Sequence, residues 1–224
     1  MIRLVNALPA AETPSAEYVR IKCLFDSYNS DPDVYFWEQT GGETYISMAD
    51  GNMTVCRREG NIGELKEFIS FISPRTLFTD AVTFKMLNAE PTEIFTVMSL
   101  NIGKCAKPTD GDALSSRDIY EIFSAADLAV PDYPHFAVDF CRRLNRGKAD
   151  FWGIKNKCAA VSFNTGNFAL LNGIASLEKG MGGKTLERII AKNSGRQMLL
   201  YCRTPLAGFY EKYGFKRIYE VALG

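Results

Sequence analysis

Residues 168 to 190 limit what this chain can fold into more than any other stretch. An apolar run, Phe168 to Leu177, leads into Glu178, Lys179, Gly180, Met181, Gly182, Gly183, Lys184, Thr185 and Leu186, and Leu186, Ile189 and Ile190 then follow at helical spacing. The order reads as strand, glycine loop, helix. Glycines at 180, 182 and 183 let backbone approach a ligand closely, and a helix's first turn offers unpaired N–H donors with partial positive charge. A phosphate group is the ligand that suits such a turn.

Composition excludes several partners. With 26 Lys plus Arg against 26 Asp plus Glu in 224 residues, no charge excess points to nucleic acid or to an anionic membrane. The apolar stretch within Met1 to Ala10 is too brief for a signal peptide or a membrane span, so a cytoplasmic protein is expected. The cysteines at 23, 56, 105, 141, 158 and 202 show no CxxC spacing and read as core thiols in a reducing compartment. His135 is the only histidine and stands beside Pro134 at the start of an expected helix, so neither a histidine metal site nor a Ser-His-Asp triad is supported, and no metal is expected.

Taken in order, the chain repeats a pattern. Ala16 to Tyr28 has helical spacing, and Val34 to Gln39, Thr44 to Ala49 and Asn52 to Arg57 read as strands, the last two joined by the hairpin signal Asp50-Gly51. Asn61 with Glu64 is a capping-box signature that launches a helix to Ile72; a strand to Thr79 and a short helix to Leu87 follow. Polar residues Asn88 to Thr92, with Pro91, mark a boundary, dividing the chain into 1–90 and 91–224. Beyond it come a strand from Glu93, a loop from Gly103 to Ala113, a helix capped by Ser115 or Ser116, and a helix from Phe136 to Arg146. Strands at Asp150–Lys155, Cys158–Asn164 and Phe168–Leu177, the glycine loop and its helix, a strand at Gln197–Cys202, a short helix from Leu206 and a last strand from Phe215 complete the second half. Both halves run helices, three strands, helix, strand, helix, and this is an α/β (α+β) order. The equivalent joint of the first half, Arg57 to Gly63, spaces its glycines differently, and Asn61 there reads as a cap.

Two nucleotide readings of the loop fit poorly. Lys179 to Thr185 matches the variant phosphate loop Lys-Gly-Gly-x-Gly-Lys-Thr of certain ATPases except at Met181, with Lys184 on the phosphates and Thr185 on Mg²⁺, but few residues follow to supply the remaining machinery. A dinucleotide fold places its loop early in the domain.

Gly208 to Phe215 carries a second signal. Phe209, Tyr210, Glu211, Lys212, Gly214 and Phe215 fit Phe/Leu-Tyr-Glu-Lys-x-Gly-Phe, the last conserved segment of the GNAT superfamily of N-acetyltransferases, which the chain resembles. In that family a long strand precedes an Arg-x-x-Gly-x-Gly loop; Gly180 and Gly182 occupy its glycine slots, while Leu177 holds the arginine slot and leaves Lys179 or Lys184 to supply the charge. The resemblance implies a mixed, mostly antiparallel central sheet flanked by helices, in two tandem halves of which 1–90 is degenerate and 91–224 is the acetyltransferase domain.

It also implies an activity: acetyl transfer from acetyl-CoA to a primary amine. Backbone of Ala175, Ser176 and Leu177 would pair with the pantetheine arm and polarise the carbonyl. Lys179, Gly180, Met181, Gly182, Gly183 and Lys184 would hold the pyrophosphate, and Tyr210 would protonate or hydrogen-bond the sulfur. The only polar residues on the strand are Asn172 and Ser176, so no general base declares itself. A non-catalytic acyl-CoA-binding protein is the alternative, and a nucleotide hydrolase a more distant one.

Overall fold

The computed structural model describes residues 1–9 and 15–224, which form two compact units, 1–98 with 201–224 and 99–200. The first unit contains β1 (Ile2–Leu4), α1 (Ala16–Tyr28), β2 (Val34–Gln39), β3 (Thr44–Ala49), β4 (Asn52–Arg57), α2 (Ile62–Ile72), β5 (Thr76–Asp80) and α3 (Ala81–Met86). The strand β6 (Glu93–Asn101) leads out of it, and β10 (Gln197–Cys202) leads back to a 3-10 turn (Thr204–Leu206), α7 (Ala207–Glu211) and β11 (Lys216–Leu223). Its strands lie in the order β1-β2-β3-β4-β5-β11. Neighbours are antiparallel except β4 and β5, which are parallel. The last segment belongs here because β11 pairs with β5, Val221 opposite Asp80.

Local chemistry explains these elements. Asp50 and Gly51 take φ of 49° and 72°, the left-handed pair that a type I′ hairpin requires, and Ala49 pairs with Asn52 across it. Alternation along β2 sends Phe36 to one face, with Tyr18, Ile21 and Phe25 of α1, and Trp37 to the other, with Ile46, Val55, Leu65 and Phe84. Each such burial contributes about 1.5–3 kcal/mol. Asn61 caps α2 by accepting the Glu64 amide at 3.1 Å, but Glu64 does not return the bond. Its carboxylate instead accepts Gln39 Nε2 at 2.7 Å and the N-terminal ammonium at 2.9 Å. The short β1 has no signal of its own in the sequence; it is held by pairing with β2.

The second unit holds α4 (Ser116–Ala125), α5 (Tyr133–Asn145), β7 (Ala149–Ile154), β8 (Cys158–Thr165), β9 (Phe168–Ser176) and α6 (Met181–Lys192). Strands run β10-β9-β8-β7, antiparallel except β9 with β10. Ser115 and Asp118 form a reciprocal capping box on α4. The helix expected from Phe136 begins three residues earlier: Asp132 accepts the His135 amide, and Pro134 sits in the first turn, where its missing N–H costs nothing. Phe123 of α4, Phe136 and Phe140 of α5 and Phe151 of β7 form a chain of ring contacts that seats these helices. The orders β2-β3-β4-α2-β5 and β7-β8-β9-α6-β10 therefore match, each closed by one parallel strand pair. Among the described residues no helix is long and apolar enough to cross a membrane.

Candidate functional site

The expected strand, loop and helix are β9, the segment 177–180 and α6. The parallel ladder between β9 and β10 covers only Phe168–Leu170 against Gln197–Leu199, although β9 continues to Ser176. At that point β9 also bulges. Its pairing with β8 steps from Leu171 opposite Ser162 to Gly173 opposite Val161, so Asn172 has no partner of its own and lies exposed. Gly173, just beyond the bulge, gives the Phe123 ring of α4 room, since a Cβ there would press on it at 3.0 Å. Past Leu170, β9 thus keeps one laddered edge, toward β8, and parts from β10 on the other. An unladdered strand edge offers backbone donors and acceptors to an extended ligand arm.

Beyond Ser176 the chain turns sharply. Ser176 Oγ donates to the Glu178 carbonyl at 2.7 Å, the Leu177 amide donates to the Lys157 carbonyl at 2.7 Å, and Lys157 pairs with the Glu178 carboxylate at 2.9 Å. The Leu177 amide is therefore engaged by protein. Gly180 adopts φ of 88° and starts α6 without any side-chain cap, whereas Ser15, Asn61, Asp80, Ser115 and Asp132 each cap α1 to α5. Gly182 and Gly183, expected in the loop, are instead in the first turn of α6. Consecutive glycines there cost the helix about 0.5–1 kcal/mol each relative to alanine. In return they leave two bare amides at the positive end of a helix, the arrangement that favours an anion.

Side chains on α6 complete the picture. Lys184 Nζ lies 4.0 Å from the Asp110 carboxylate and 5.9 Å from the Trp152 ring centroid, and Arg188, one turn on, pairs with Asp110 at 3.0 Å. Trp152 Nε1 donates to the Asp110 carbonyl at 2.6 Å, and Gly111 allows that approach, because a Cβ there would lie 2.6 Å from the same nitrogen. The loop expected from Gly103 to Ala113 is thus anchored on α6 and β7 through Asp110. Sequence reading missed Asp110 and Arg188, although Lys184 and Arg188 at i, i+4 were a visible signal of a basic helix face. Thr185 is fully buried and its hydroxyl donates to the Met181 carbonyl at 2.8 Å, so it is occupied within the helix and does not face a metal.

No protein-family model and no curated protein matches the chain. Solved structures do. A tandem GNAT protein from the clavulanic acid biosynthesis pathway matches with a TM-score of 0.56 and 14% identity, covering 96% of this chain and 88% of its own. The chain has the GNAT fold. A GCN5-related N-acetyltransferase from Sphaerobacter thermophilus gives a TM-score of 0.57 at 12% identity over 100% of this chain and 94% of its own. A GNAT-family acetyltransferase from Colwellia psychrerythraea gives 0.52 at 10% identity, covering 100% and 98%. At such identities the likeness is one of fold, and the chemistry has to be argued from this chain's residues.

Within that GNAT fold the corresponding joint of the first unit is closed. Asn61 occupies the Glu64 amide at the start of α2, and the buried Gln39 side chain fills the turn: a Cβ on Gly60, which has φ of 117°, would lie 2.1 Å from Gln39 Oε1. Gln39 Nε2 donates to the Asn61 carbonyl at 2.9 Å. Tyr210 is in α7 of the first unit, buried, with its ring against Phe209 and Phe215. Burial, reinforced by Cys202, pushes its phenol up to about 12, so it keeps its proton at neutral pH. On β2, Phe36 and Trp37 are buried in the cores, and Tyr35 stacks on Trp37.

Proposed function

We propose that this protein is an acetyl-CoA-dependent N-acetyltransferase acting on a primary amine. The observation that carries the reading is the uncapped, glycine-bearing start of α6 directly after a bulged strand that has left its parallel neighbour. A coenzyme's pyrophosphate would sit on the amides of Gly182 and Gly183, with Gly180 and Met181 shaping the turn and Lys179 and Lys184 adding charge. Backbone of Ser176, which lies between the pairs Ala175–Ala159 and Leu177–Lys157 that face β8, is turned to the open edge of β9 and would pair with the pantetheine arm, with Ala175 and Leu177 holding it in place.

The chemistry is simple to balance. A neutral amine attacks the thioester carbonyl, the tetrahedral oxyanion collapses, the C–S bond breaks, and the thiolate takes up the proton that the amine loses. The role proposed for Tyr210, a hydrogen bond to the departing sulfur, is supported by the likeness of Gly208 to Phe215 to the last conserved GNAT segment. Complete proton transfer from a phenol near 12 to an alkanethiolate near 8.5 would run uphill by about 5 kcal/mol, so hydrogen-bond donation is the better role, with solvent carrying the proton. The test is release of free thiol from acetyl-CoA over a broad panel of primary amines, alongside calorimetric titration of acetyl-CoA. Binding with amine-dependent release supports the proposal; absence of binding at millimolar coenzyme refutes it.

One observation favours a second reading. β9 carries no ionisable side chain, its polar residues being Asn172 and Ser176. A non-catalytic acyl-CoA-binding protein would bind the coenzyme and release no thiol with any amine.

A further inference from the structure

The first unit contains an open cleft of about 400 Å³, a volume suited to a small organic molecule. It is lined where β4 and β5 end: their ladder covers only Asn52–Thr54 against Thr76–Phe78, and both strands then run on. Basic groups enter from the end of β4, Arg57 and Arg58. Acidic groups enter from three other elements, Glu17 of α1, Asp80 at the end of β5 and Glu220 of β11. Most of the exposed lining is apolar, and the charged groups on it carry both signs, sorted by element, which is matched by a ligand that carries both signs.

The polar groups are held in place but not exhausted. Glu17 is 2% exposed, and its carboxylate accepts the Tyr219 hydroxyl, which itself accepts the Ala16 amide at 2.8 Å. Ser15 and the Glu17 backbone amide also donate to this carboxylate, which leaves about one of its four acceptor sites for a further donor. Asp80 uses one oxygen to cap α3, accepting the Thr83 amide at 2.8 Å. On the basic side Arg57 is held at the cleft by Nη2, which donates to the Gly60 carbonyl at 3.0 Å, and by Nη1, which donates to Met86 Sδ at 3.6 Å. Arg58 pairs with Glu43 at 3.0 Å where both are exposed, a pairing that adds little to stability. A phosphate is not the match here, since Asn61 and Gln39 close the nearby start of α2.

We propose that this cleft binds a small zwitterion of the α-amino acid type, its ammonium meeting Glu17 and Asp80 and its carboxylate meeting Arg57 and Arg58. The site goes beyond the coenzyme reading and uses none of the residues assigned to it. Calorimetry and thermal-shift measurements on the full chain, without coenzyme, against each proteinogenic L-amino acid singly are the first step. The tightest binder is then compared with its amide, which lacks the carboxylate, and its N-acetyl form, which lacks the ammonium. Each loss should weaken binding about ten-fold or more. Glu17→Gln should weaken the parent amino acid to the level of its N-acetyl form, and Arg57→Met should weaken it to the level of its amide. Should Glu17→Gln not fold, the derivative series on unaltered protein and Arg57→Met decide. The proposal is overturned if no amino acid binds the folded protein, if both derivatives bind as well as the parent, or if folded variants keep full affinity.

Discussion

Replacing both Gly182 and Gly183 by alanine should make the protein more stable and worse at holding a coenzyme. Both residues lie in the first turn of α6, where glycine forfeits about 0.5–1 kcal/mol of helix stability relative to alanine. The double variant should therefore gain up to about 1–2 kcal/mol, which for a chain of this size raises the melting temperature by roughly 2–8 °C. The added methyl groups would stand beside the two amides proposed to face the pyrophosphate. Losing one charge-assisted hydrogen bond costs about 1.5–3 kcal/mol, so affinity for coenzyme A should drop about ten- to a hundred-fold. Thermal denaturation and calorimetric titration of the same preparations read the two effects. Raised stability with unchanged affinity would show that these amides do not meet the phosphate. Lowered stability would mean that the glycines are demanded by packing and not by a ligand.

Three further outcomes are expected. Asp110→Asn should change stability by less than about 1 kcal/mol, because its partners are half exposed, yet tighten coenzyme A binding several-fold at low salt by releasing Lys184 and Arg188; calorimetry at two ionic strengths checks this, and weaker binding would contradict it. Tyr210→Phe should lower turnover at least ten-fold with little change in coenzyme affinity, and a variant with full turnover would remove Tyr210 from the chemistry. Burial raises the Glu17 carboxyl above its usual 4.5, with Asp80 adding to it, so the folded protein holds that proton more tightly than the unfolded chain. The associated stability is fully present below pH 4.5 and is lost as the pH rises through the folded-state value; melting curves of Glu17→Gln should lack this decline, and curves parallel to the parent would refute the assignment.

What could be read from the sequence was local. Asp50-Gly51 needs no information beyond itself to make a hairpin, and a serine at 115 or 116 needs none to start a helix, so these elements were legible, while the structure selects Ser115 and adds its partner Asp118. The glycine turn was legible as a strand-to-helix joint for the same reason, although its helix begins at Met181, inside the glycines. The bulge at Asn172 was not, because register belongs to a pair of strands and β9's apolar run reads the same with or without an extra residue. Asp110 was missed because nothing in a polar loop announces which helix will hold it; the contact depends on Trp152 and Gly111 meeting across the fold. The closed state of the first unit's joint likewise hinges on Gln39, remote in sequence from Asn61.

The coenzyme site is tested most directly by titrating isotope-labelled protein with coenzyme A and following backbone amide resonances. Saturable shifts largest at Gly180, Gly182, Gly183 and Lys184, with smaller ones at Ala175 and Ser176, are the predicted result. Saturable shifts elsewhere while the Gly182 and Gly183 amides stay still, or no shifts at millimolar coenzyme, would contradict it.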